Sequence, residues 1–374
     1  MYLFFCLLDS RFYMKRIGIL TFQRAINYGA ALQMYALQKK IRDLGANAEI
    51  IDFICPYIFD GYKPFHLRNI IHPRALMGDI LNFSIRKSRN KHFHDFIRDN
   101  MRFSQPVDTE SLSILSDAYD IYITGSDQVW NPLITGSESA YFLDFVKDKN
   151  KRRSYAASFG VSEWPPSSLP VTKLLESMDS ISVREEAGKK LIQSLTSRTA
   201  SVTVDVDPVF LLEKNSWLSM IRKDRTKKPY LFIYLVGGGN PDDMYRTASK
   251  LAQEQHLDII NLRYNRSLRH KEYEIGNVVY DAGPDDFVSF IANASCVVTN
   301  SFHATAFSII FHKDMYVSMP DKVGSRISNL FSITGIEGRV IGKPFKEIDW
   351  EKTDQKIMEA RQVSISHLKK IIGE

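Results

Sequence analysis

The sequence predicts an α/β protein of two Rossmann-like domains that face each other across a cleft, each built on a mainly parallel sheet. Three observations predict this class. The chain has 374 residues, which is more than one hydrophobic core usually serves. Short β-rich runs alternate with amphipathic helical patterns throughout. Most runs end in polar residues, and ligands of open α/β sheets bind outside the carboxyl ends of the strands.

The first domain is predicted over residues 14–212. Its opening strand, IGILTF at 17–22, leads through Asn27-Tyr28-Gly29 into an amphipathic helix that ends at Gly45. Residues 57–102, approximately, are predicted to form a mainly helical, basic insertion. The other predicted strands are AEIIDF (48–53), YDIYITGSD (119–127), SYAASFG (154–160), SISVRE (180–185) and SVTVDVDPVF (201–210).

A charged linker is predicted over 213–228, followed by the second domain over 229–345 and a helical segment over 346–374. One helix of this domain should start after Gly283-Pro284-Asp285, since an acidic first turn suits the helix dipole. The predicted strands are PYLFIYLVGGG (229–239), DIINLRY (258–264), NVVYDAG (277–283), SCVVTNS (295–301) and MYVSMP (315–320).

Composition favours a soluble chain from a reducing compartment, and we expect a cytoplasmic protein. Hydrophobic residues make up 44% and charged residues 25%, and the three cysteines form no CxxC pair. Residues 1–13 lack a basic n-region and a cleavage site, so we expect no export signal there.

The net charge is +6, with nine cations against three carboxylates between positions 62 and 103. Such a segment can attract an anionic substrate or the inner membrane face, or it can be a solvated helical face. No RNA-binding signature is present, and we expect no nucleic-acid partner.

The stretch VVTNSFHATAFS, at 297–308, predicts an anion site. A buried strand delivers Asn300 and Ser301 to its carboxyl end, where a helix opens near His303 and exposes free backbone N–H groups. A histidine in that first turn can donate a hydrogen bond or a proton to a bound anion. The alternative is a structural histidine at a strand–helix corner.

Two more strand ends carry candidate residues. Arg184 follows the strand in SISVREE, where a guanidinium suits carboxylate or phosphate; the alternative is an ion pair with Glu185 or Glu186. Asp127 in GSDQVWN can orient a sugar hydroxyl or accept its proton, or it can cap the next turn. We expect no metal site, because the alternation of Asp205 and Asp207 is what any strand produces and such a pair offers too few oxygen ligands.

Taken in order, several motifs of this chain resemble the polysaccharide pyruvyl transferase family. The motifs are NYGAALQMYAL, YDIYITGSDQVWNP, YFLDF, SYAASFG, ISVREE, DVDPVFLL, VVTNSFHATAFS and SRISNLFSITGI. The resemblance implies a GT-B-like fold and transfer of the enolpyruvyl unit of phosphoenolpyruvate to two hydroxyls of a sugar, with release of phosphate and no cofactor. The acceptor would be a cell-surface polysaccharide or its precursor, which can be lipid-linked. The alternatives are a nucleotide-sugar glycosyltransferase and a non-catalytic carbohydrate-binding protein, because fold does not fix function.

The resemblance also implies roles for single residues. Arg184 and His303 match the residues that hold phosphoenolpyruvate, and Arg326 matches an arginine that precedes the late helix. With the helix start at Asn300 and Ser301, these residues would supply the cations and N–H donors that a carboxylate and a phosphate need. His303 would be the proton donor or a phosphate-binding acid.

On the acceptor side, Asn27 and Gly29 match the N-terminal turn motif of the family. Ala30 stands where the family often has an acidic residue. Asp127 is the candidate that orients the attacking hydroxyl.

Overall fold

The structure is a computed structural model that describes residues 14–197, 202–221, 228–237, 240–267, 270–319 and 324–374. Residues 1–13, part of the predicted linker (222–227) and the two glycines at the end of the strand predicted over 229–239 lie outside these ranges. Within them, the chain alternates between strands and helices as predicted.

The first part of the chain forms a parallel sheet covered by helices. Its strands are β1 (Arg16–Leu20), β2 (Asn47–Ile50), β3 (Ile121–Thr124), β4 (Arg152–Ser154), β5 (Ile181–Val183) and β6 (Val202–Val204). The order β2-β1-β3-β4 is extended by the β5-β6 pair through isolated bridges, Arg153 with Ser180 and Ala157 with Val183. The helices are α1 (Tyr28–Asp43), α2 (Pro56–Gly61), α3 (Pro73–Asn100), α4 (Pro132–Thr135), α5 (Val171–Glu176) and α6 (Glu186–Leu195). Strand β3 is buried throughout, as expected for the middle of a parallel sheet.

The second sheet is also parallel and has the order β11-β10-β7-β8-β9. Its strands are β7 (Tyr230–Tyr234), β8 (Asp258–Leu262), β9 (Asn277–Val279), β10 (Cys296–Thr299) and β11 (Asp314–Val317). The remaining helices are α7 (Lys214–Leu218), α8 (Pro241–Glu254), α9 (Pro284–Asn293), α10 (Phe302–Ile310), α11 (Gly324–Thr334) and α12 (Trp350–Ile372).

Helix α12 returns from the second sheet to the first. The Ser364 hydroxyl accepts a hydrogen bond of 3.1 Å from Val206 N, and His367 Nδ1 lies 2.8 Å from Asp205 Oδ1. The two sheets also share a continuous apolar cluster. Within it, Tyr28 of α1 stacks on Phe287 of α9 with ring centroids 4.9 Å apart. The two halves therefore pack directly against each other beside the cleft. Among the described helices, none has the length and hydropathy needed to cross a lipid bilayer.

The predicted runs extend beyond the observed strands, and the backbone shows the reason for two of them. In the run predicted over 154–160 the regular strand ends at Ser154, because Ala156 has φ 49° and so departs from extended backbone, and Ala157 then forms only isolated bridges. The run predicted over 201–210 ends at Val204, and residues Pro208–Leu211 form a 3₁₀ turn. Proline suits the first position of such a turn since it has no N–H to give to a ladder. Asp207 thereby becomes the cap of this turn instead of a strand residue.

Candidate active site

A cleft of about 610 Å³ lies where strands of both sheets end. The amino-terminal ends of α1 and α10 meet there, since Asn27, Gly29, Ser301 and His303 all line it. Asp127, from the turn after β3, forms another part of the wall. Predicted residues from both halves of the chain therefore meet in one cavity, as the rule for open α/β sheets requires.

Asp207 is at the centre of the charged groups beneath this cleft. Its Oδ2 accepts a 2.7 Å hydrogen bond from Arg184 Nη1 and a 3.3 Å one from the Ser126 hydroxyl. The same oxygen lies 3.4 Å from His303 Nε2. Burial raises the pKa of Asp207, but His303 and Arg184 lower it more, and the net pKa is well below the ordinary value. Asp207 is therefore an anion that links two residues predicted to hold the donor.

Arg184 is only 3% exposed. Its Nε lies 3.5 Å from Glu185 and its Nη2 lies 3.8 Å from Asp127, yet neither nitrogen makes a hydrogen bond to a described residue. Burial lowers the pKa of Arg184, but these carboxylates together with Asp207 raise it above its usual range. The Phe302 ring covers the guanidinium at 4.7 Å. The alternative of an ion pair with Glu185 is thus present, but Asp207 is the nearer partner.

Arg184 does not line the main cleft itself. It faces a small cavity of about 20 Å³ that shares Phe302 and Arg326 with the cleft. This volume holds about one water molecule. Residues of α11 and α12 close the far side of the small cavity, so it lies behind the cleft.

His303 is the second residue of α10 and is 7% exposed. Its ring packs against α1 at Gly29, where an added Cβ would lie 1.9 Å from His303 Nδ1. A glycine is required here because no larger residue leaves room for the imidazole. Nε2 points toward Asp207 but makes no hydrogen bond within the described chain.

Arg326 lies in the first turn of α11, so the prediction that it precedes the helix is wrong by about one turn. It lines both cavities, and its Nε makes no hydrogen bond to any described residue. Burial lowers the pKa of Arg326 and the nearby charge of Arg184 lowers it further, against the opposing effect of Asp127, Glu185 and Asp207. A partly desolvated cation beside another cation is electrostatically unfavourable until an anion joins them.

The polar residues at the helix starts have partners of their own. Ser301 caps α10, with its hydroxyl 3.4 Å from Ala304 N, and Asn27 caps α1 by accepting a 3.1 Å hydrogen bond from Ala30 N. Asn300 Oδ1 accepts a 2.8 Å hydrogen bond from Val236 N, and Asn300 Nδ2 donates one of 2.9 Å to the Val236 carbonyl oxygen. These bonds join the ends of β10 and β7, which favours a structural role for Asn300 over the predicted donor contact.

Asp127 has φ 78°, a left-handed conformation that is uncommon for residues other than glycine and that asparagine and aspartate adopt most readily. Its Oδ1 accepts a 2.9 Å hydrogen bond from Gln128 N, so the predicted turn cap is present. The side chain nevertheless lines the cleft. A residue keeps such a conformation only where the surrounding structure enforces it. Residues of this kind are common at functional sites.

Sequence reasoning missed the role of Asp207, whereas Glu185 was named as a possible ion-pair partner of Arg184. The spacing of Asp205 and Asp207 is that of any strand and does not distinguish them. In the structure, Asp205 accepts hydrogen bonds from Ser182 and Thr203, whereas Asp207 accepts them from Arg184 and Ser126. Glu185 is 5% exposed and accepts a 2.5 Å hydrogen bond from Ser158. The signal that could have found Asp207 is Pro208, which ends the strand. Over the described ranges, no group of three or more histidine, cysteine or carboxylate side chains is placed to hold a metal ion.

The fold and the position of the cleft define a GT-B-type protein, and solved structures agree. The chain is similar to the UDP-N-acetylglucosamine 2-epimerase of Neisseria meningitidis bound to UDP-GlcNAc, with 13% identity, TM-score 0.50, and 96% of this chain and 93% of that one covered. It is similar to an α-glucosyltransferase in complex with UDP and DNA, with 14% identity, TM-score 0.51 and 95% of each chain covered. These likenesses concern the fold alone.

Comparison of the sequence, unlike that of the fold, identifies a family. The family model for polysaccharide pyruvyl transferase matches residues 27–317, and the chain belongs to this family. The matched range contains Asn27, Asp127, Arg184, Asp207 and His303, and it ends before Arg326. No curated protein sequence matches the chain.

Proposed function

We propose that this protein transfers the enolpyruvyl group of phosphoenolpyruvate to two hydroxyls of a saccharide, forming a pyruvate ketal and releasing phosphate. Family membership supports a pyruvyl transfer. The observation that carries the choice of donor is Arg326, a half-buried arginine that lines the cleft near Arg184 and His303 and whose Nε makes no hydrogen bond to a described residue. Such a cluster is poised for a small ligand with two anionic groups.

Donor binding would use the groups that have unused hydrogen-bonding capacity. Arg326 and the amino-terminal end of α10 would take one anionic group in the main cleft. Arg184, whose Nε and Nη2 make no hydrogen bond within the described part of the chain, would take the other. Because the cavity beside Arg184 holds only about one water molecule, we expect the Phe302 ring to move when the donor binds.

The reaction needs one proton on carbon and one group that orients a hydroxyl. A proton is added to the methylene carbon, which becomes a methyl group and leaves a cationic centre at the neighbouring carbon. One hydroxyl attacks there and loses its proton; phosphate then leaves, and the second hydroxyl attacks and loses its proton. We propose that His303 supplies the first proton or holds the phosphate, and that the adjacent Asp207 carboxylate orients its ring.

The acceptor would enter from the side of Asp127 and Asn27, where Asp127 orients the attacking hydroxyl. A second cleft of about 560 Å³ adjoins the first and shares Asn27 and Tyr62 with it. It contains Arg89, which is 5% exposed and donates to the carbonyl oxygens of Tyr264 and Tyr280. We propose that the rest of the saccharide lies in this second cleft.

The reaction would take place in the cytoplasm, which the buried, unpaired cysteines Cys55 and Cys296 support.

Calorimetric titration of the full chain with phosphoenolpyruvate and, separately, with UDP-N-acetylglucosamine tests the donor. We expect binding of phosphoenolpyruvate only. His303→Gln should weaken this binding by roughly tenfold or more, the usual effect of losing a hydrogen bond to a charged group. His270→Gln is the control, since His270 is exposed at the surface. Binding of the sugar nucleotide in place of phosphoenolpyruvate would establish the glycosyltransferase alternative instead.

The product is tested in the cell that makes the protein. Mass spectrometry of the surface polysaccharide from a deletion strain should show loss of a pyruvate ketal, with restoration by the wild-type gene and not by the His303→Gln variant. An unchanged ketal content in the deletion strain would contradict the proposal.

A further inference from the structure

The helical insertion presents an apolar surface to solvent. Fifteen large apolar side chains are exposed in the described part of the chain, and eight of them lie between positions 57 and 83. Six of these form what we call the insertion face: Leu67, Ile70, Ile71, Met77, Ile80 and Phe83. Leu67 and Ile71 are 77% and 79% exposed. Apolar side chains collected in one segment indicate an interaction surface, whereas scattered ones do not.

Half of the insertion face lies on α3, which is already packed, and Leu67, Ile70 and Ile71 lie on the 3₁₀ turn that precedes it (Leu67–Ile71). The opposite side of α3 is buried, and it includes Asn82, Arg89 and Phe93. Asn82 Oδ1 accepts a 2.7 Å hydrogen bond from Arg266 N, and Arg89 binds the backbone at Tyr264. These contacts fix α3 against the second half of the chain. Its outward apolar residues therefore face solvent in the folded protein.

The same segment is positively charged on its outside. Residues 61–94 contain a single acidic residue, Asp79. Asp79 is 3% exposed and pairs with Arg86 at 2.7 Å, so its charge is balanced internally. Lys63, Arg74 and Lys87 are exposed. The surface around the apolar residues therefore carries cations and no exposed carboxylate within 61–94.

We propose that the insertion face docks this protein onto an anionic lipid bilayer. Apolar side chains flanked by lysine and arginine are the combination by which amphipathic helices bind the interface of such membranes. A second copy of the chain fits less well, because a symmetric contact would bring the cations of the two copies together without opposing carboxylates. Docking of this kind is independent of which donor the active site takes.

Docking in this way would place the clefts beside the membrane. Tyr62 lines both clefts and Lys63 lines the second, and these residues immediately precede the insertion face. An acceptor carried on a lipid would then reach the second cleft from the bilayer surface. Surface docking thus supplies a route for such an acceptor without any membrane-spanning segment.

Vesicle cosedimentation of the full chain tests the proposal. We expect binding to vesicles of phosphatidylcholine with phosphatidylglycerol, little binding to phosphatidylcholine alone, and release by high salt. The double variant Met77→Ser, Ile80→Ser should bind about tenfold more weakly, since both side chains would lose apolar contact with lipid. The matched control is Met358→Ser, Val363→Ser on α12, where the side chains are 48% and 52% exposed; it should bind as the wild type does.

Three results would overturn the proposal. They are wild-type protein that stays in the supernatant with anionic vesicles at low salt, an α3 variant that binds as well as wild type, and a wild-type dimer that the α3 substitutions convert to monomer in analytical ultracentrifugation. Calorimetric binding of phosphoenolpyruvate should be the same in the α3 variant and in the wild type, because Met77 and Ile80 line neither cleft. Failure of membrane docking is thereby distinguishable from failure of the proposed reaction.

Discussion

Arg184 donates a 2.7 Å hydrogen bond to Asp207, and both side chains are almost fully buried. The same carboxylate oxygen lies 3.4 Å from His303 Nε2. Through this one oxygen, an arginine that follows a strand of the first sheet is linked to a histidine from the second half of the chain that lines the cleft. The charge on Asp207 is therefore central to both the stability of the protein and the chemistry proposed for it.

Replacing Asp207 with asparagine should lower the free energy of unfolding by about 3–5 kcal/mol, because Arg184 would remain buried without its nearest counter-ion. Urea titration of both proteins at pH 7 measures this. The control is Asp117→Asn. Asp117 is an exposed carboxylate, and its loss should leave stability unchanged. A stability of Asp207→Asn equal to wild type would show that the pair is not a net stabiliser.

The Asp207 pair also predicts a pH dependence. The pKa of Asp207 is lower in the folded protein than the unfolded value near 4. Its contribution to stability is therefore complete above about pH 4 and is lost as the pH falls through the folded value. Urea midpoints measured from pH 6 down to pH 2 should fall steeply for wild type and less steeply for Asp207→Asn. Parallel curves would contradict the assignment.

Arg326→Gln should separate binding from stability. The pKa of Arg326 is lowered by burial and by Arg184, so the folded protein without ligand gains little from this charge. We expect an unchanged or higher melting temperature and a loss of about 10- to 100-fold in phosphoenolpyruvate affinity, the range for a lost hydrogen bond to a charged group. Calorimetry and thermal unfolding measure the two effects. Arg98→Gln, exposed at the end of α3, should change neither.

Gly29→Ala tests the contact between α1 and α10. An alanine Cβ would lie 1.9 Å from His303 Nδ1, so either the ring or the helix must move. We expect a loss of about 1–3 kcal/mol in the free energy of unfolding and weaker donor binding. Gly78→Ala is the control within α3, where nothing lies within 4 Å of the added atom. It should stabilise the protein by about 0.5–1 kcal/mol.

Asp127→Asn should reduce kcat and leave the affinity for phosphoenolpyruvate nearly unchanged, because asparagine also tolerates the left-handed backbone at this position. Loss of a group that orients the attacking hydroxyl and accepts its proton commonly costs about 10²- to 10⁴-fold. Phosphate release in the presence of the acceptor, compared with donor calorimetry, makes this distinction. A normal kcat would remove Asp127 from the proposed mechanism.

Much of the fold follows from local pattern. The first βαβ unit, the helix after Gly283 and the opening of α10 near His303 were predicted, because apolar periodicity and capping residues act over only a few positions. The predictions that were wrong concern ends of elements, such as the strand before Pro208 and the position of Arg326 in α11. Element ends depend on backbone torsions and caps that neighbouring segments help to decide.

The sequence by itself determined that Asp127, Arg184 and His303 follow strands of parallel sheets, and therefore that they lie at the edges where ligands bind. Only the tertiary structure decided which of them meet. Asp207 joins Arg184 to His303, and Asn300 is turned onto the backbone of Val236. The physical reason is range: periodicity and capping are set by neighbours in the chain, whereas the pairing of a buried charge is set by whichever partner the packing of two separate sheets brings within reach.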